Sequence, residues 1–170
     1  MPVLPERCKV IGIEEFIVAT KEQEVLKGFE PQHLEQLAAL AKEVRFTRDQ
    51  IIFHEGEDHG FFYLIVDGSV VLEIVAAGRS VMLQTLHAGD AMGWSALIDT
   101  TGDGAHFEAR ALSPVKALAF EGPRLRETCE EDPAFGYRMM KSLVGLLTER
   151  LDATRMQVVD MYAPQGAARG

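Results

Sequence analysis

The chain has 170 residues, of which 47% are hydrophobic, and a formal net charge of −9 at pH 7. This composition supports one domain with a hydrophobic core and excludes a globally disordered chain. The acidic balance disfavours nucleic-acid binding through a broad basic surface, and no apolar run approaches the roughly 18 residues that a membrane span requires.

The first part of the chain is predicted to be helical. Residues 1–28 form a lead-in, in which Glu14–Leu26 is compatible with a short helix. A stronger helix begins at Glu30 and Pro31, since proline is tolerated in a first turn. Its helical spacing is carried by the apolar residues Leu34, Leu37, Ala38, Leu40, Ala41 and Val44.

Residues 29–132 are predicted to form a domain of short β-strands. The hydrophobic period changes here from helical to two, and the apolar stretches are rich in Val, Ile, Phe and Tyr. Turn-forming residues separate them, and Asp67-Gly68 is a strong hairpin signal. This spacing is typical of a β-sandwich or jelly-roll barrel. The predicted strands are Val44–Phe46, Gln50–His54, Gly60–Val66, Ser69–Val75, Ser80–Leu86 and Glu108–Phe120.

A long helix is predicted to follow the strands. Pro123–Glu130 is compatible with a short helix, and Asp132-Pro133 then opens a helix that reaches residue 162. An apolar seam along it has alternating spacings of four and three, which is typical of a helix that pairs with a second copy. We therefore predict a homodimer, and a disordered tail at 163–170. The seam residues are Met140, Val144, Leu147, Leu151, Thr154, Val158 and Met161.

Gly89–Leu112 is the segment with the clearest functional pattern. It holds a turn, an apolar stretch at Gly93–Ile98, a Gly-rich loop at Asp99–Gly104 and a strand from His106. A helical turn beside a Gly-rich loop directs several backbone N–H groups at one point, an arrangement that suits an anion. The same pattern is also typical of a loop that only joins two strands.

Three motifs resemble the cyclic nucleotide-binding domain of the bacterial catabolite activator (cAMP receptor protein) family. LHAGDAMGWSALI is similar to the family's G-D-x-F-G-E-(L/I)-A-L, EARALSPVKALAF to the strand after the phosphate-binding cassette, and EEDP to the start of the family's dimer helix. The resemblance runs from about Phe29 to Tyr162. It implies an α+β, mainly β fold: a cyclic nucleotide-binding-like β-roll or jelly-roll barrel with N-terminal helices and a long C-terminal dimerisation helix.

The chain departs from that family at the residues that hold the ligand. The resemblance implies that Trp94 stands where ligand-binding members have a Glu for the ribose hydroxyl, and Ala105 where they have an Arg for the cyclic phosphate. Glu108 adds a negative charge nearby. Losing a charge-assisted Arg–phosphate contact costs several kcal/mol in a buried site. Arg79 and Arg110 are candidate replacements, although Arg110 shares a strand face with Glu108 and is placed to neutralise it.

We expect a pocket between the Gly-rich segment and the long helix. The family's base-contacting helix positions fall near Arg150 and Leu151, and the favoured prediction for Arg150 is a solvated flank of the dimer helix. Trp94 either plugs the pocket or stacks on an aromatic ligand, and the missing Arg favours the plug. The candidate pocket residues are Met92, Gly93, Trp94, Ser95, Ala96, Leu97, Gly104, Ala105, His106, Phe107, Glu108, Arg150 and Leu151.

The leading functional prediction is a non-catalytic regulatory or sensor module with a diverged cassette. It would act through the homodimer on a partner protein, and no cofactor is expected unless a cyclic nucleotide or another small ligand binds. A genuine cAMP or cGMP receptor is the alternative.

An enzyme of the metal-dependent cupin type is the third hypothesis. The possible metal ligands are His54, Glu55, Glu57, Asp58 and His59. The H-x-H pair of cupins is missing, however, and acidic residues are usual in a turn. The sequence also has no nucleophile elbow of the G-x-S-x-G type. No catalytic residue and no metal site is therefore predicted.

Two further expectations concern partners and compartment. Only about ten residues follow Asp160, too few for the helix-turn-helix domain of the family's transcription factors, so DNA binding is not expected. Cys8 and Cys129 are far apart and fit free thiols in a reducing compartment. With no signal-peptide core at the N-terminus, the sequence predicts a cytoplasmic protein without membrane partners.

Overall fold

A computed structural model describes residues 8–58, 60–98 and 104–162, so the predicted tail at 163–170 lies outside the described residues. The helices are α1 (Ile13–Thr20), α2 (Pro31–Leu40), α3 (Gly122–Glu131) and α4 (Pro133–Tyr162), with 3₁₀ turns at Glu24–Leu26 and Trp94–Leu97. The strands are β1 (Cys8–Val10), β2 (Lys42–Phe46), β3 (Ile51–Phe53), β4 (Phe61–Asp67), β5 (Val70–Ala76), β6 (Arg79–Leu86), β7 (Ala91–Met92), β8 (Glu108–Ala111) and β9 (Val115–Glu121).

The strands form two antiparallel sheets that enclose a core. The first sheet has the order β1-β2-β9-β4-β7 and the second the order β3-β8-β5-β6. Val44 and Ile65 of the first sheet join Leu72 and Ala109 of the second in one buried cluster. This confirms the predicted α+β fold, with a β-roll followed by a long C-terminal helix.

The central strands of the first sheet are buried on both faces. In β4, Tyr63 and Ile65 belong to the core between the sheets, whereas Phe62 and Leu64 alternate with them and pack against the helices. A strand covered on both faces has a continuous apolar sequence, as β4 does. The helical side of this second core is filled by Phe16, Leu37, Leu125, Phe135, Met139 and Leu143.

The N-terminal part differs from the predicted helical lead-in. β1 pairs with β2, with Cys8 opposite Val44, so the lead-in contributes an edge strand. The predicted helix Glu14–Leu26 is divided into α1 and a 3₁₀ turn. The break lies at Gln23, whose backbone is extended and whose buried side-chain amide donates to the carbonyl of Ile65 at 2.7 Å.

α2 ends before the apolar spacing does. Ala41 has an extended backbone at the C-cap position, and the next apolar residue, Val44, lies fully buried in β2. The sequence places Val44 both at the end of the helical spacing and in the predicted strand Val44–Phe46, because a short apolar run fits either period. The strand is confirmed and the helical assignment of Val44 is wrong. Pairing with β9 decides in favour of the strand.

The predicted strand Glu108–Phe120 is two strands in different sheets. β8 pairs with β3 and β5, whereas β9 pairs with β2 and β4. Pro114 lies between them, and proline has no N–H for a sheet ladder. The sequence does not predict β7 at all, because two residues are too few for a periodic signal.

Two predicted turns and both C-terminal helices are confirmed, but the hairpin predicted at Asp67-Gly68 is wrong. β4 pairs with β7 and β9 in one sheet, whereas β5 pairs with β6 and β8 in the other, so the turn carries the chain between the sheets. Gly68 joins β4 to β5 with φ of +90°, and a Cβ there would lie 2.2 Å from the Pro114 carbonyl oxygen, so only glycine fits. Gly93–Ile98 contains the predicted helical turn, which is of the 3₁₀ type. The Asp132 carboxylate accepts the N–H groups of Ala134 and Phe135, both at 3.1 Å, and so caps the start of α4.

Candidate functional site

Trp94 lines the predicted pocket. Gly93 has φ of +77°, a left-handed conformation that begins the 3₁₀ turn carrying Trp94. The indole stacks on the imidazole of His106, with ring centroids 5.0 Å apart and an interplanar angle of 15°. The two segments on either side of the Gly-rich loop are thereby in direct contact.

The cavity behind this stack is nearly filled. Its volume is about 10 Å³, which is room for about one water molecule. Ala105 is 3% exposed and belongs to the core between the sheets. Its backbone exchanges hydrogen bonds with the N–H of Gly56 and the carbonyl of Glu57. The cavity is lined by Phe53, Leu72, Met92, Gly93, Trp94, Ser95, Ala105, His106, Phe107 and Arg150.

Arg150 is the cation of this cavity. It extends from α4, and its Nη2 donates to the carbonyl of Ala91 on β7. Burial lowers the pKa of Arg150 to about 10, although Asp90 and Glu149 act in the opposite direction. The predicted solvated position of Arg150 is therefore wrong, because its side chain is buried against β7 and donates to the Ala91 carbonyl.

Glu108 lies on the outer face of the sheet, away from the cavity. Ala109 beside it is buried in the core between the sheets, so Glu108 and Arg110 face the other way. The Glu108 carboxylate lies 2.8 Å from Nδ1 of His54. The expected repulsion between Glu108 and a bound phosphate is therefore weaker than the sequence indicates.

Arg110 pairs with Glu73 rather than with Glu108. Its Nε and Nη2 donate to the two carboxylate oxygens of Glu73 at 3.0 and 2.8 Å, and Asp49 lies 3.8 Å away. Arg79 is exposed at the start of β6. Neither of these two candidate replacements for the missing phosphate-binding Arg lines the cavity.

Replacing Arg110 by Gln should destabilise the protein by about 1–2 kcal/mol near neutral pH. The hydrogen bonds from Arg110 lower the pKa of Glu73. Such a carboxylate stabilises the fold above its unfolded pKa, about 4.3, and loses that contribution as the pH falls through its lower folded value. Urea unfolding should therefore show a difference from the natural chain that shrinks below about pH 4. Arg155→Gln, at an exposed position of α4, is the control, and a difference that does not vary with pH would contradict the prediction.

The remaining candidate pocket residues lie elsewhere. Leu97 packs in the helical core, and the carbonyl of Ala96 accepts Nη1 of Arg126 at 2.5 Å. Gly104 lies against the backbone of Gly56, and Leu151 is 68% exposed.

Two residues that sequence reasoning missed, Phe53 and Leu72, line the cavity from β3 and β5. Both strands lie in the second sheet, where β8 separates them. The period-two pattern places each residue on an inward face, but it does not say which strands meet at the cavity.

The acidic turn considered as a metal site is engaged in other contacts. The carboxylate of Glu57 accepts the N–H of His54 at 3.0 Å, and that of Glu55 accepts the N–H of Val75 at 3.2 Å. Within the described ranges, no group of three or more His, Cys, Asp or Glu residues is placed to hold a metal ion. His59 lies outside these ranges.

The apolar seam of α4 is largely uncovered in the single chain. Near the start of the helix, Phe135, Met139 and Leu143 face the core, and Leu147 packs partly against it. Thr154 is exposed and donates its hydroxyl to the carbonyl of Arg150 at 2.9 Å. The exposed seam residues are Met140 (37%), Val144 (62%), Leu151 (68%), Val158 (48%) and Met161 (81%).

No helix of the described residues combines the length and the hydropathy needed to cross a bilayer.

Comparisons with solved structures agree with this architecture. A cyclic nucleotide-binding domain from Methylobacillus flagellatus has a TM-score of 0.75 at 18% identity, over 91% of this chain and 86% of its own. A candidate cyclic nucleotide-binding protein from Geobacter metallireducens has a TM-score of 0.70 at 25% identity, over 83% and 98%. The catabolite activator protein of Thermus thermophilus has a TM-score of 0.66 at 20% identity, over 81% and 62%.

The sequence itself carries the family assignment. A comparison of the sequence with curated proteins finds no significant match. The family model of the cyclic nucleotide-binding domain matches residues 43–132, more than half of the chain. The chain therefore belongs to the cyclic nucleotide-binding domain family.

Proposed function

We propose that this protein is a non-catalytic regulatory module whose cyclic nucleotide pocket has become internal packing. The observation that carries this proposal is the stack of Trp94 on His106, which leaves a cavity of about 10 Å³. Ligand pockets usually have volumes of about 300 Å³ or more. A nucleotide would therefore have to separate these rings before it could enter.

The charges of the cavity support the same proposal. Ala105 offers no side-chain donor where the family resemblance implies a phosphate-binding Arg, and Arg110 is held by Glu73. Among the described residues that line the cavity, Arg150 is the only arginine or lysine, and its Nη2 is engaged with the Ala91 carbonyl. A buried phosphate without a charge-assisted partner is costly.

We further propose that the module signals through a homodimer formed by α4. Arg150 connects the cavity to α4, because it contacts β7 one position before Met92. The seam residue next to it, Leu151, is 68% exposed and available to a second copy. A change at the pocket that releases Arg150 would therefore move α4, which carries the dimer interface. A partner protein would then bind differently to the two positions of α4.

A genuine cAMP or cGMP receptor is the second candidate, and Arg150 is the observation that favours it. Its guanidinium makes one hydrogen bond to a neutral carbonyl. Exchange of that carbonyl for an anion would give a stronger, charge-assisted bond. In this case Arg150 would replace the family's phosphate-binding Arg from a different element, α4 instead of the cassette.

The natural protein should bind cAMP and cGMP with dissociation constants weaker than about 100 μM. The closed cavity and the missing Arg both oppose binding. Titration calorimetry measures the affinity, and the fluorescence of Trp94, the one tryptophan of the chain, reports whether the ring stack opens. A parallel titration with divalent metals tests the cupin hypothesis. Micromolar binding of either nucleotide would overturn the closed-pocket proposal and support the receptor.

A further inference from the structure

An apolar groove lies at the start of α4. It has a volume of about 360 Å³ and is lined by Leu97, Arg126, Cys129, Gly136, Tyr137 and Met140. The cavity behind Trp94 is much smaller, with a volume of about 10 Å³. The groove therefore offers space for a group from outside the chain without any movement of the core.

The groove lies on the same face of α4 as the seam. Counting back from Met140 by three and then four residues gives Tyr137 and Pro133, and all three line the groove. Side chains at alternating spacings of three and four share one face of a helix. The groove therefore continues the seam towards the N-terminal end of α4, and a second copy that covers the seam along its whole length also covers the groove.

Tyr137 is the side chain on this face that suits the groove. It is 70% exposed in the single chain, beside apolar walls. A tyrosine combines an apolar ring with a hydroxyl that needs a polar partner. The groove provides Arg126 and Glu130 for that hydroxyl. In a two-fold dimer each copy has the same tyrosine and the same groove, so a contact between the tyrosine of one copy and the groove of the other is formed twice.

We propose that Tyr137 of each copy occupies the groove of the other copy. This inference rests on the proposed homodimer and adds a defined contact to it. The contact reaches the closed pocket, because Leu97 lies in the 3₁₀ turn that begins with Trp94. Arg126, in the same groove, donates to the carbonyl of Ala96 in that turn at 2.5 Å. A tyrosine bound in the groove therefore stabilises the 3₁₀ turn in its closed-pocket conformation. Because coupling between two sites is reciprocal, opening the pocket should reduce the free energy of dimerisation by the same amount.

Disulfide trapping tests this contact directly. Tyr137→Cys combined with Cys8→Ser leaves two thiols in the chain, at position 137 and at Cys129. Oxidation with copper phenanthroline should give a covalent dimer on a non-reducing gel, and it is run above about pH 8.5 because burial raises the pKa of the Cys129 thiol to about 11. Mass spectrometry of that covalent dimer should identify a bond between position 137 of one copy and Cys129 of the other, and adding Cys129→Ser should remove it. A covalent dimer joined only through the two copies of position 137, or no covalent dimer at all, would overturn the proposal.

Sedimentation separates this contact from the dimer itself. Tyr137→Ala should weaken dimerisation by more than about tenfold, as expected for a buried aromatic anchor. Tyr162→Ala, at an exposed tyrosine of the same helix, should have little effect. A natural chain that is monomeric at tens of micromolar would contradict the proposed homodimer. A natural dimer that neither weakens in Tyr137→Ala nor cross-links through Cys129 would remove only the groove contact.

Discussion

The double variant Trp94→Glu, Ala105→Arg should bind cAMP at least about 30-fold more tightly than the natural chain, a gain of about 2 kcal/mol. Removing the indole breaks the stack on His106 and opens the cavity. The new carboxylate and guanidinium are the two groups that the family resemblance implies for the ribose hydroxyl and the phosphate. Hydrogen bonds to charged groups contribute about 1.5–3 kcal/mol each. Titration calorimetry measures the difference.

The two component single variants separate the contributions in this experiment. Trp94→Glu opens the cavity and provides the carboxylate alone, and Ala105→Arg provides the guanidinium while the indole remains. Because Ala105 is 3% exposed, the longer side chain has room only after the indole has gone. The double variant should therefore exceed the sum of the two single effects, as expected for neighbouring sites. A double variant that binds no better than Trp94→Glu would contradict the assignment of the phosphate position to Ala105.

The parts of the fold that the sequence predicts well are those with a strong local signal. The capped start of α4 at Asp132-Pro133 and the turn at Gly68 follow from local residue chemistry, and both are present. The hairpin pairing predicted at Gly68 is absent, because β4 and β5 lie in different sheets. The strands β4 and β5 follow from long apolar runs. β7 and the separation of β8 from β9 depend instead on which distant strands pair, and no local pattern encodes that pairing.

The same distinction applies to the candidate site. Trp94, Ala105 and His106 lie together because they flank one short segment, so a motif in the sequence is enough to group them. The family resemblance also groups Arg150 with them, but it does not predict that Arg150 is buried against β7. Burial depends on how closely α4 approaches the sheet, which a spacing of apolar residues does not give. The ion pair of Arg110 with Glu73 escapes prediction for a similar reason, since it joins β8 to β5.

The natural protein should sediment as a dimer at tens of micromolar, and Leu151→Asp should weaken that dimer by more than about 100-fold, or about 2.7 kcal/mol. Leu151 lies in the middle of the seam and is 68% exposed in the single chain. In a parallel pair of α4 helices, the two aspartates would face each other in an apolar interface, where an unpaired charge is strongly unfavourable. The fold of each copy should be unaffected, because the leucine side chain is not part of either buried core.

Met156→Asp provides the control for this change. Met156 is an exposed apolar residue of the same helix, at 58%, and lies outside the spacing of four and three. It receives the same charge, so an effect of net charge or helix propensity would appear in both variants. Analytical ultracentrifugation of the natural chain and the two variants, with circular dichroism to verify folding, should show a monomer only for Leu151→Asp. A natural chain that is already monomeric, or equal weakening by both substitutions, would mean that this seam does not join two copies, and the proposed signal path from Arg150 through α4 would then have to end on another partner.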